Sequence, residues 1–217
     1  MPALVRRLVL TGALAGAFVG FTSFVAGGGM TTTDHQVLDA MESIWEPALR
    51  LPMQAVALVG GIELTTLVAL GLAGYLWRTG FRADAAALLV LPAAVVLELA
   101  YKNLLFHPHV PPSLSKGDAP SLSELFEPVS AGNSYPSGHM LRTVIVYGLV
   151  AFVVYRLSGR RWLRLAAVQG ALILVVLVAF DRLYLELHWE SDVIGALLLG
   201  TVCLLAATLW LDRPTPV

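Results

Sequence analysis

Residues 163–211 read LRLAAVQGALILVVLVAFDRLYLELHWESDVIGALLLGTVCLLAATLWL. This stretch contains two apolar runs, at about 163–185 and 191–211, separated by a short polar connection. Because a helix needs roughly 20 apolar residues to cross the hydrocarbon core of a bilayer, each run predicts one transmembrane helix. Of the 217 residues, 57% are hydrophobic and only 13% are charged. A mean hydropathy of +0.76 indicates that much of the protein surface faces lipid.

Four further apolar segments are long enough to cross a membrane, at about 8–26, 52–77, 84–106 and 138–157. The first follows Arg6 and Arg7, as the hydrophobic part of a signal peptide would. However, bulky Phe24 stands two residues before Ala26 and makes a poor cleavage site, so we expect a retained span. The sequence therefore predicts an all-α polytopic membrane protein, with six transmembrane helices bundled into one domain over residues 1–217.

The distribution of Lys and Arg predicts the orientation of these helices. The N-terminus, residues 78–83, residues 156–164 and the C-terminus share one face of the membrane. They carry nine arginines: Arg6, Arg7, Arg78, Arg82, Arg156, Arg160, Arg161, Arg164 and Arg213. Clear of the span ends, the opposite loops carry only Arg50 and Lys116. We therefore expect a protein of the cell inner (cytoplasmic) membrane with both termini in the cytoplasm, and segments 27–51, 107–137 and 182–190 outside.

Two of the outer segments have distinct patterns. From Thr33 to Leu49, apolar residues recur at helical spacing opposite polar ones, which predicts a short outer amphipathic helix on the membrane surface. The apolar members are Val37, Leu38, Met41, Ile44, Trp45 and Leu49, and the polar members are Gln36, Asp39, Glu42 and Glu46. Asp34 or a preceding Thr is the expected helix cap. Segment 107–136 is rich in Pro, Ser and Gly, which indicates a long loop.

Ionisable and polar residues collect at the outer ends of the third to sixth spans. Such residues at the ends of apolar helices usually face a cavity or the bundle interior. The group comprises Glu98, Lys102, His107, His109, Ser137, Gly138, His139, Arg142, Asp181, Arg182, Glu186, His188, Glu190 and Asp192. Glu98 and Lys102 are four residues apart and should share one helix face.

The residue types in this group favour an anion-binding site. Lys102 and Arg182 would supply fixed positive charge, and Arg can bind a phosphate in a bidentate manner. Ser137 and Gly138 open the fourth span, so their backbone N–H groups and the helix dipole would attract a phosphate. Glycine at 138 would also let the backbone approach a ligand closely.

Three further residues could carry chemistry on a bound anion. His139 and His188 are candidate proton carriers or nucleophiles, because imidazole titrates near neutrality. Asp192 follows His188 by four residues, so on a helix its carboxylate could hold one imidazole nitrogen and leave the other for attack.

The same residues could instead form a metal site, which is the alternative hypothesis. Its ligands would be His107, His109, His139, His188 and Asp192. The nearby cations Lys102, Arg142 and Arg182 would repel a divalent metal, so the anion site fits better and we expect no metal or other cofactor. Taken singly, a loop histidine is more often a solvated surface residue, and an arginine at a span end is commonly a membrane anchor.

The order of these residues resembles the type 2 phosphatidic acid phosphatase superfamily of lipid phosphate phosphatases. Its third signature matches Arg182, His188 and Asp192, and its second matches Ser137, Gly138 and His139 within SYPSGH. Its first signature, in KNLLFHPHVP, matches only Lys102. His109 stands where Arg is expected, and Val110 where Pro is expected. Asp181 also replaces the Ser that usually precedes the third-signature Arg.

The resemblance implies a metal-independent membrane phosphatase that works through a phosphohistidine. His188 would attack phosphorus while held by Asp192, and His139 would protonate the leaving oxygen. The phosphate oxygens would be held by Lys102, Ser137, Gly138, Arg182 and His109. The expected substrate is a membrane lipid phosphate such as a polyprenyl (undecaprenyl) pyrophosphate, phosphatidylglycerol phosphate or phosphatidic acid. The partners are then this lipid and the bilayer, with no nucleic acid and no obligate protein partner.

Three other functions remain open at this point. The chain could be a phosphotransferase that passes phosphate to an acceptor other than water. It could also be a non-catalytic protein with the same fold that binds or transports lipid phosphates. The altered first signature supports this hypothesis. The vanadium-dependent haloperoxidases share the anion-site pattern but are soluble, so a haloperoxidase is the hypothesis that the sequence favours least. Glu63, inside the second span, has no partner that the sequence identifies.

Overall fold

The computed structural model describes residues 3–119 and 133–212, and all regular secondary structure in these ranges is helical. The α-helices are α1 Ala3–Ala26, α2 Thr31–Ser43, α3 Arg50–Gly60, α4 Ile62–Arg78, α5 Val90–Leu104, α6 Gly138–Leu157, α7 Arg161–Tyr184 and α8 Glu190–Leu211. Two 3-10 helices, Pro47–Leu49 and Arg82–Leu89, precede α3 and α5. The all-α prediction is confirmed. Arg213 and residues 120–132 of the predicted long loop lie outside the described residues.

Up to six membrane spans are present in the part of the chain that the structure describes. Five helical segments are long and apolar enough to cross a bilayer: Leu4–Ala26, Arg82–Leu104, Gly138–Leu157, Arg161–Tyr184 and Glu190–Leu211. The sixth is a bent pair, Pro47–Gly60 and Ile62–Arg78, whose two halves meet at an angle of 41°. The described part of the chain therefore contains five to six candidate spans, six when the bent pair counts as one, and the helix of the predicted second span is broken.

Helix α6 forms the centre of the bundle. It packs against α3, α4, α5, α7 and α8, while α1 packs on the outer side of α8. Gly148 permits the close approach of α8, because a Cβ at this position would lie 2.4 Å from Leu204 Cδ2. Small residues commonly allow membrane helices to pack closely in this way. The central position of α6 brings its first residues, Ser137 to His139, among the ends of four neighbouring helices.

The break in the second span is stabilised from α6. Helix α3 ends at Gly60, which leaves carbonyl groups without a partner in the helical ladder. Tyr147 Oη donates to Val59 O at 2.9 Å, and Arg142 Nε donates to Gly60 O at 3.3 Å. Since unpaired backbone groups are costly in a membrane, these two bonds explain how a break can persist there.

Glu63 lies in the first turn of α4, directly after the break. Its Oε2 is 3.1 Å from the position that a Cβ on Gly61 would occupy. A carboxylate at a helix N-terminus is stabilised by the unpaired N–H groups and the helix dipole. The break therefore accounts for an acidic residue within an apolar span, which the sequence left unexplained.

The outer amphipathic helix differs from its prediction in three respects. It ends at Ser43 rather than Leu49, because Glu46 precedes Pro47 and adopts the extended backbone that proline favours in its neighbour. The predicted cap is wrong: Met30 occupies the N-cap without a side-chain bond, and Asp34 is a buried residue within the helix. The apolar face packs on protein, where buried Leu38 joins a small cluster with Val110 and Trp189.

Two ion pairs join the helices at the end of the bundle that the sequence assigns to the cytoplasm. Arg7 on α1 pairs with Asp212 after α8. Arg156 at the end of α6 pairs with Asp84 in the 3-10 helix, at 2.9 Å. Helices α5 and α7 end, and α6 and α8 begin, at the opposite end of the bundle, which we call the site end.

Candidate active site

The site end brings together the side chains that the sequence singled out. Lys102 comes from the last turn of α5, Ser137 and His139 from the start of α6, and Arg182 from the last turn of α7. Asp192 comes from the first turn of α8. His188 lies in the short connection between α7 and α8.

His188 and Asp192 form a hydrogen-bonded pair. His188 Nδ1 lies 3.0 Å from Asp192 Oδ2, and the backbone N–H of Trp189 donates to the same oxygen at 3.0 Å. His188 precedes the helix, so the two do not share a helix face as expected. Instead Asp192, the third residue of α8, reaches back over the helix start in the manner of a capping box. With Nδ1–H donated to the carboxylate, the nucleophilic lone pair of the ring lies on Nε2.

The surroundings of His188 keep its imidazole neutral. Burial lowers the pKa of His188 well below its usual value, and the positive charges of Lys102, Arg182 and His109 lower it further. The negative charge of Asp118 acts in the opposite direction and raises the pKa of His188. Because the pKa is lowered, the neutral and nucleophilic ring persists to more acidic pH than an exposed histidine would allow.

Lys102 is held in place by Glu98. Its Nζ lies 3.0 Å from Glu98 Oε1, as the four-residue spacing predicted, and Arg142 Nη1 lies 3.4 Å from Glu98 Oε2. All three side chains are buried. Glu98 also lies against the start of α6, where a Cβ on Gly138 would be only 2.1 Å from Oε1. A side chain at 138 would therefore collide with the carboxylate in the position from which it contacts both cations.

Arg182 already binds carboxylates in this structure. Asp118 occupies the guanidinium in a bidentate manner, with Nη1 to Oδ2 at 2.6 Å and Nη2 to Oδ1 at 2.9 Å. Neighbouring Asp181 accepts from Arg182 Nε at 2.8 Å. The fork of Arg182 thus holds a planar anion as it would hold a phosphate.

The backbone around Asp118 is tied to the bundle. Gln54 Nε2 donates to Gly117 O at 3.1 Å and to Asp118 O at 3.2 Å. The N–H of Lys116 donates to Leu185 O at 3.0 Å, and its Nζ pairs with Glu186 at 3.2 Å. These contacts keep the carboxylate of Asp118 beside Arg182.

Ser137 and His139 complete the group at the start of α6. Ser137 is buried, and its Oγ makes no hydrogen bond with any residue in the ranges 3–119 and 133–212. A buried hydroxyl of this kind can bond a ligand oxygen. His139 is half-buried and within electrostatic range of Lys102, Arg182 and His188.

Two histidines before α6 differ from expectation. His109 is exposed, yet it is close enough to His188 and Asp192 to act on them electrostatically, which places it at the edge of the site. His107 was expected only as a ligand of the alternative metal site. Its Nε2 lies 3.3 Å from Asp192 Oδ1, on the side of the carboxylate opposite His188.

The metal-site alternative finds no support in the geometry. Among residues 3–119 and 133–212, no group of three or more His, Cys, Asp or Glu side chains is arranged to hold a metal ion. The site instead combines a neutral histidine, the carboxylate that orients it and several fixed cations. That combination suits nucleophilic attack on a bound anion.

The structure is thus that of a helical membrane protein with a histidine–aspartate pair beside an arginine that binds carboxylates. The sequence pattern of the PAP2 superfamily matches residues 85–216. The chain belongs to the PAP2 superfamily, as its signature residues predicted.

Relatives and a solved structure agree with this assignment. The chain is 31% identical over 151 residues to YbjG of Escherichia coli (strain K12), named as a candidate undecaprenyl-diphosphatase, covering 68% of this chain and 69% of YbjG. It is 36% identical over 77 residues to the undecaprenyl-diphosphatase of Sulfolobus acidocaldarius, covering 36% of this chain and 33% of that protein. A transmembrane PAP2-type phosphatidylglycerolphosphate phosphatase from Bacillus subtilis has the same fold, with a TM-score of 0.78 and 19% identity, covering 91% of this chain and 94% of that one.

Proposed function

We propose that this protein is an integral membrane phosphatase that removes phosphate from a lipid phosphate ester or anhydride on the outer face of the membrane. The observation that carries the proposal is the His188–Asp192 pair beside Arg182, which binds a carboxylate as it would bind a phosphate. The names of the relatives favour a polyprenyl pyrophosphate as substrate. Phosphatidylglycerol phosphate and phosphatidic acid are the other lipids to test.

The reaction would proceed in two displacements. His188 Nε2 attacks phosphorus, the bond from phosphorus to the leaving oxygen breaks, and that oxygen takes a proton from His139. Water then attacks phosphorus while His139 accepts its proton, and the phosphorus–nitrogen bond breaks to release phosphate. Asp192 holds His188 Nδ1–H throughout and stabilises the positive charge that develops on the ring.

The remaining polar groups would bind the phosphate oxygens. Arg182 and Lys102 supply the positive charge, and Ser137 Oγ and the N–H of Gly138 supply hydrogen-bond donors at the start of α6. His109, at the edge of the site, would contribute an imidazolium where the family has arginine. These groups bind most strongly as negative charge is redistributed in the transition state.

An apolar groove supports a lipid rather than a soluble substrate. A cavity of about 610 Å³ lies between α4, the 3-10 helix Arg82–Leu89 and α5, and its lining is apolar except for Thr66 and Arg142. Arg142 also contacts Glu98, which holds Lys102. A hydrocarbon chain in this groove would therefore extend from the cation network into the bilayer.

Phosphate release by the purified protein in detergent tests the proposal. We expect release from at least one of undecaprenyl pyrophosphate, phosphatidylglycerol phosphate and phosphatidic acid, at the same rate with and without EDTA. Mass spectrometry of the products separates hydrolysis from transfer to another acceptor, because hydrolysis yields only free phosphate and the dephosphorylated lipid. Binding of these lipids without any turnover would favour the non-catalytic function instead.

Labelling of single cysteines tests the sidedness of the site. Cys203 is the only native cysteine and is buried, so Cys203→Ala provides a cysteine-free background. Ser113 is exposed near the site end, and Gly159 is exposed at the opposite end between α6 and α7. In spheroplasts, a membrane-impermeant maleimide should label Ser113→Cys but not Gly159→Cys, and lysis should expose both. The reverse pattern would place the site in the cytoplasm.

A further inference from the structure

His107 lies behind the carboxylate that orients His188. Its Nε2 is 3.3 Å from Asp192 Oδ1 and 3.1 Å from Ser191 Oγ. Ser191 in turn bonds Asp34 on α2 twice, through its N–H to Oδ1 at 2.8 Å and through its Oγ to Oδ2 at 2.9 Å. One chain of contacts therefore runs from α2 through the start of α8 to the nucleophile.

The hydrogen bonds of Ser191 determine which ring nitrogen of His107 carries a proton. Ser191 Oγ donates its only proton to the Asp34 carboxylate, so towards His107 it can only accept. The nitrogen that faces Ser191 Oγ, Nε2, must then carry a proton. The same ring nitrogen lies 3.3 Å from Asp192 Oδ1 without a hydrogen bond to it, so its N–H makes an electrostatic contact with the carboxylate and does not compete as an acceptor.

Backbone hydrogen bonds and an aromatic contact hold His107 in place. The backbone N–H of His107 donates to Asn133 Oδ1 at 2.9 Å, and the backbone carbonyl of His107 accepts from the N–H of Ser134 at 2.8 Å. The ring packs edge-on against Tyr135, with centroids 6.1 Å apart and planes at 85°. Its side chain is 15% exposed, so the ring is held mainly by protein contacts.

We propose that His107 is a positioning residue that holds Asp192 through Oδ1, so that Oδ2 stays aligned with His188 Nδ1. The two oxygens of one carboxylate are then held from opposite sides, by His107 and by His188 with the Trp189 N–H. This role rests on the proposed phosphatase function, because it concerns the group that orients the proposed nucleophile. His107 acts through Asp192 and makes no contact with the phosphate.

Four variants test this role: His107→Ala, His107→Gln, His107→Asn and Ser191→Ala. The amide nitrogen of Gln can reach the place of Nε2, whereas that of Asn reaches only the place of Nδ1. We expect His107→Ala to lower kcat for lipid phosphate about 10- to 100-fold, the usual effect of removing a residue that orients a ligating group, and to leave KM within about twofold. Gln should restore kcat to within about threefold of the wild type, and Asn should not.

A second measurement needs no lipid substrate. Phosphoramidate phosphorylates histidine chemically, and mass spectrometry follows the modification of His188. The rate should fall about fivefold or more in His107→Ala, recover in His107→Gln and fall to a smaller extent in Ser191→Ala, since outer contacts of this kind act by orientation. Melting temperatures of the variants show whether each has retained the fold.

The outcomes separate this inference from the proposed function. Unchanged kcat and phosphoramidate rate in His107→Ala would overturn the positioning role. A raised KM with unchanged kcat would also overturn it, because His107 would then bind phosphate directly. A wild type that turns over no lipid phosphate, with phosphoramidate reactivity that still depends on His107, would refute the proposed function and leave the positioning role intact.

Discussion

Replacing His188 with alanine should lower phosphate release from the lipid substrate by at least about 10³-fold, because no other group can take the place of the attacking nitrogen. His188→Asn is the sharper variant. Its amide nitrogen can keep the hydrogen bond to Asp192 Oδ2, which the His188 ring makes at 3.0 Å, but it is not nucleophilic. Equal losses in both variants would show that nucleophilicity, rather than the contact with Asp192, is what the site requires.

Trapping the intermediate gives the same prediction a direct readout. A quench in alkaline detergent of the wild type with phosphorus-labelled substrate should yield a phosphoprotein that is stable in base and labile in acid, and neither His188 variant should form it. His35→Gln serves as the matched control, since this histidine is exposed on α2 and should retain activity within about threefold. Full turnover by His188→Asn would contradict the mechanism.

Replacing Gly138 with alanine should be the second most damaging change. The added Cβ would lie 2.1 Å from Glu98 Oε1, and Glu98 cannot withdraw without moving Lys102 and Arg142. We expect kcat/KM to fall about 100-fold, since small displacements of binding groups are costly, and stability to fall by about 1–3 kcal/mol from overpacking. Phosphate release and the melting temperature of the purified variant measure the two effects.

Gly170→Ala is the matched control for this prediction. Nothing lies within 4 Å of a Cβ at Gly170, so the substitution should leave activity unchanged and slightly favour the helix. If Gly138→Ala kept full activity, Glu98 could not be fixed against α6 in the working enzyme. Glu98 would then not connect the position of Lys102 to the start of α6.

The spans could be predicted because membrane crossing depends on local composition. The predicted spans 84–106 and 163–185 differ by about two residues from Arg82–Leu104 and Arg161–Tyr184. The break at Gly60 could not be predicted, because the apolar run continues through it. It depends on donors from α6, about 80 residues further along the chain.

The candidate site was predictable where its contacts are short in sequence. The Glu98–Lys102 and His188–Asp192 contacts each join residues four apart. His107 and Asp118 gave no comparable signal, because their partners are 85 and 64 residues away along the chain. Asp34 was misassigned as a cap for the same reason, since its partner is Ser191.

The pair between Arg182 and Asp118 has a thermodynamic consequence. A ligand anion that uses the same guanidinium nitrogens must first separate it from a carboxylate held at 2.6 and 2.9 Å. Asp118 is thus an intramolecular competitor, and the apparent dissociation constant equals the intrinsic constant divided by the fraction of molecules in which the pair is open. That fraction is a property of the unliganded protein, so it weakens every competing ligand by one common factor. The pair therefore sets the absolute affinity of the site, while the ranking of one lipid phosphate over another is determined elsewhere.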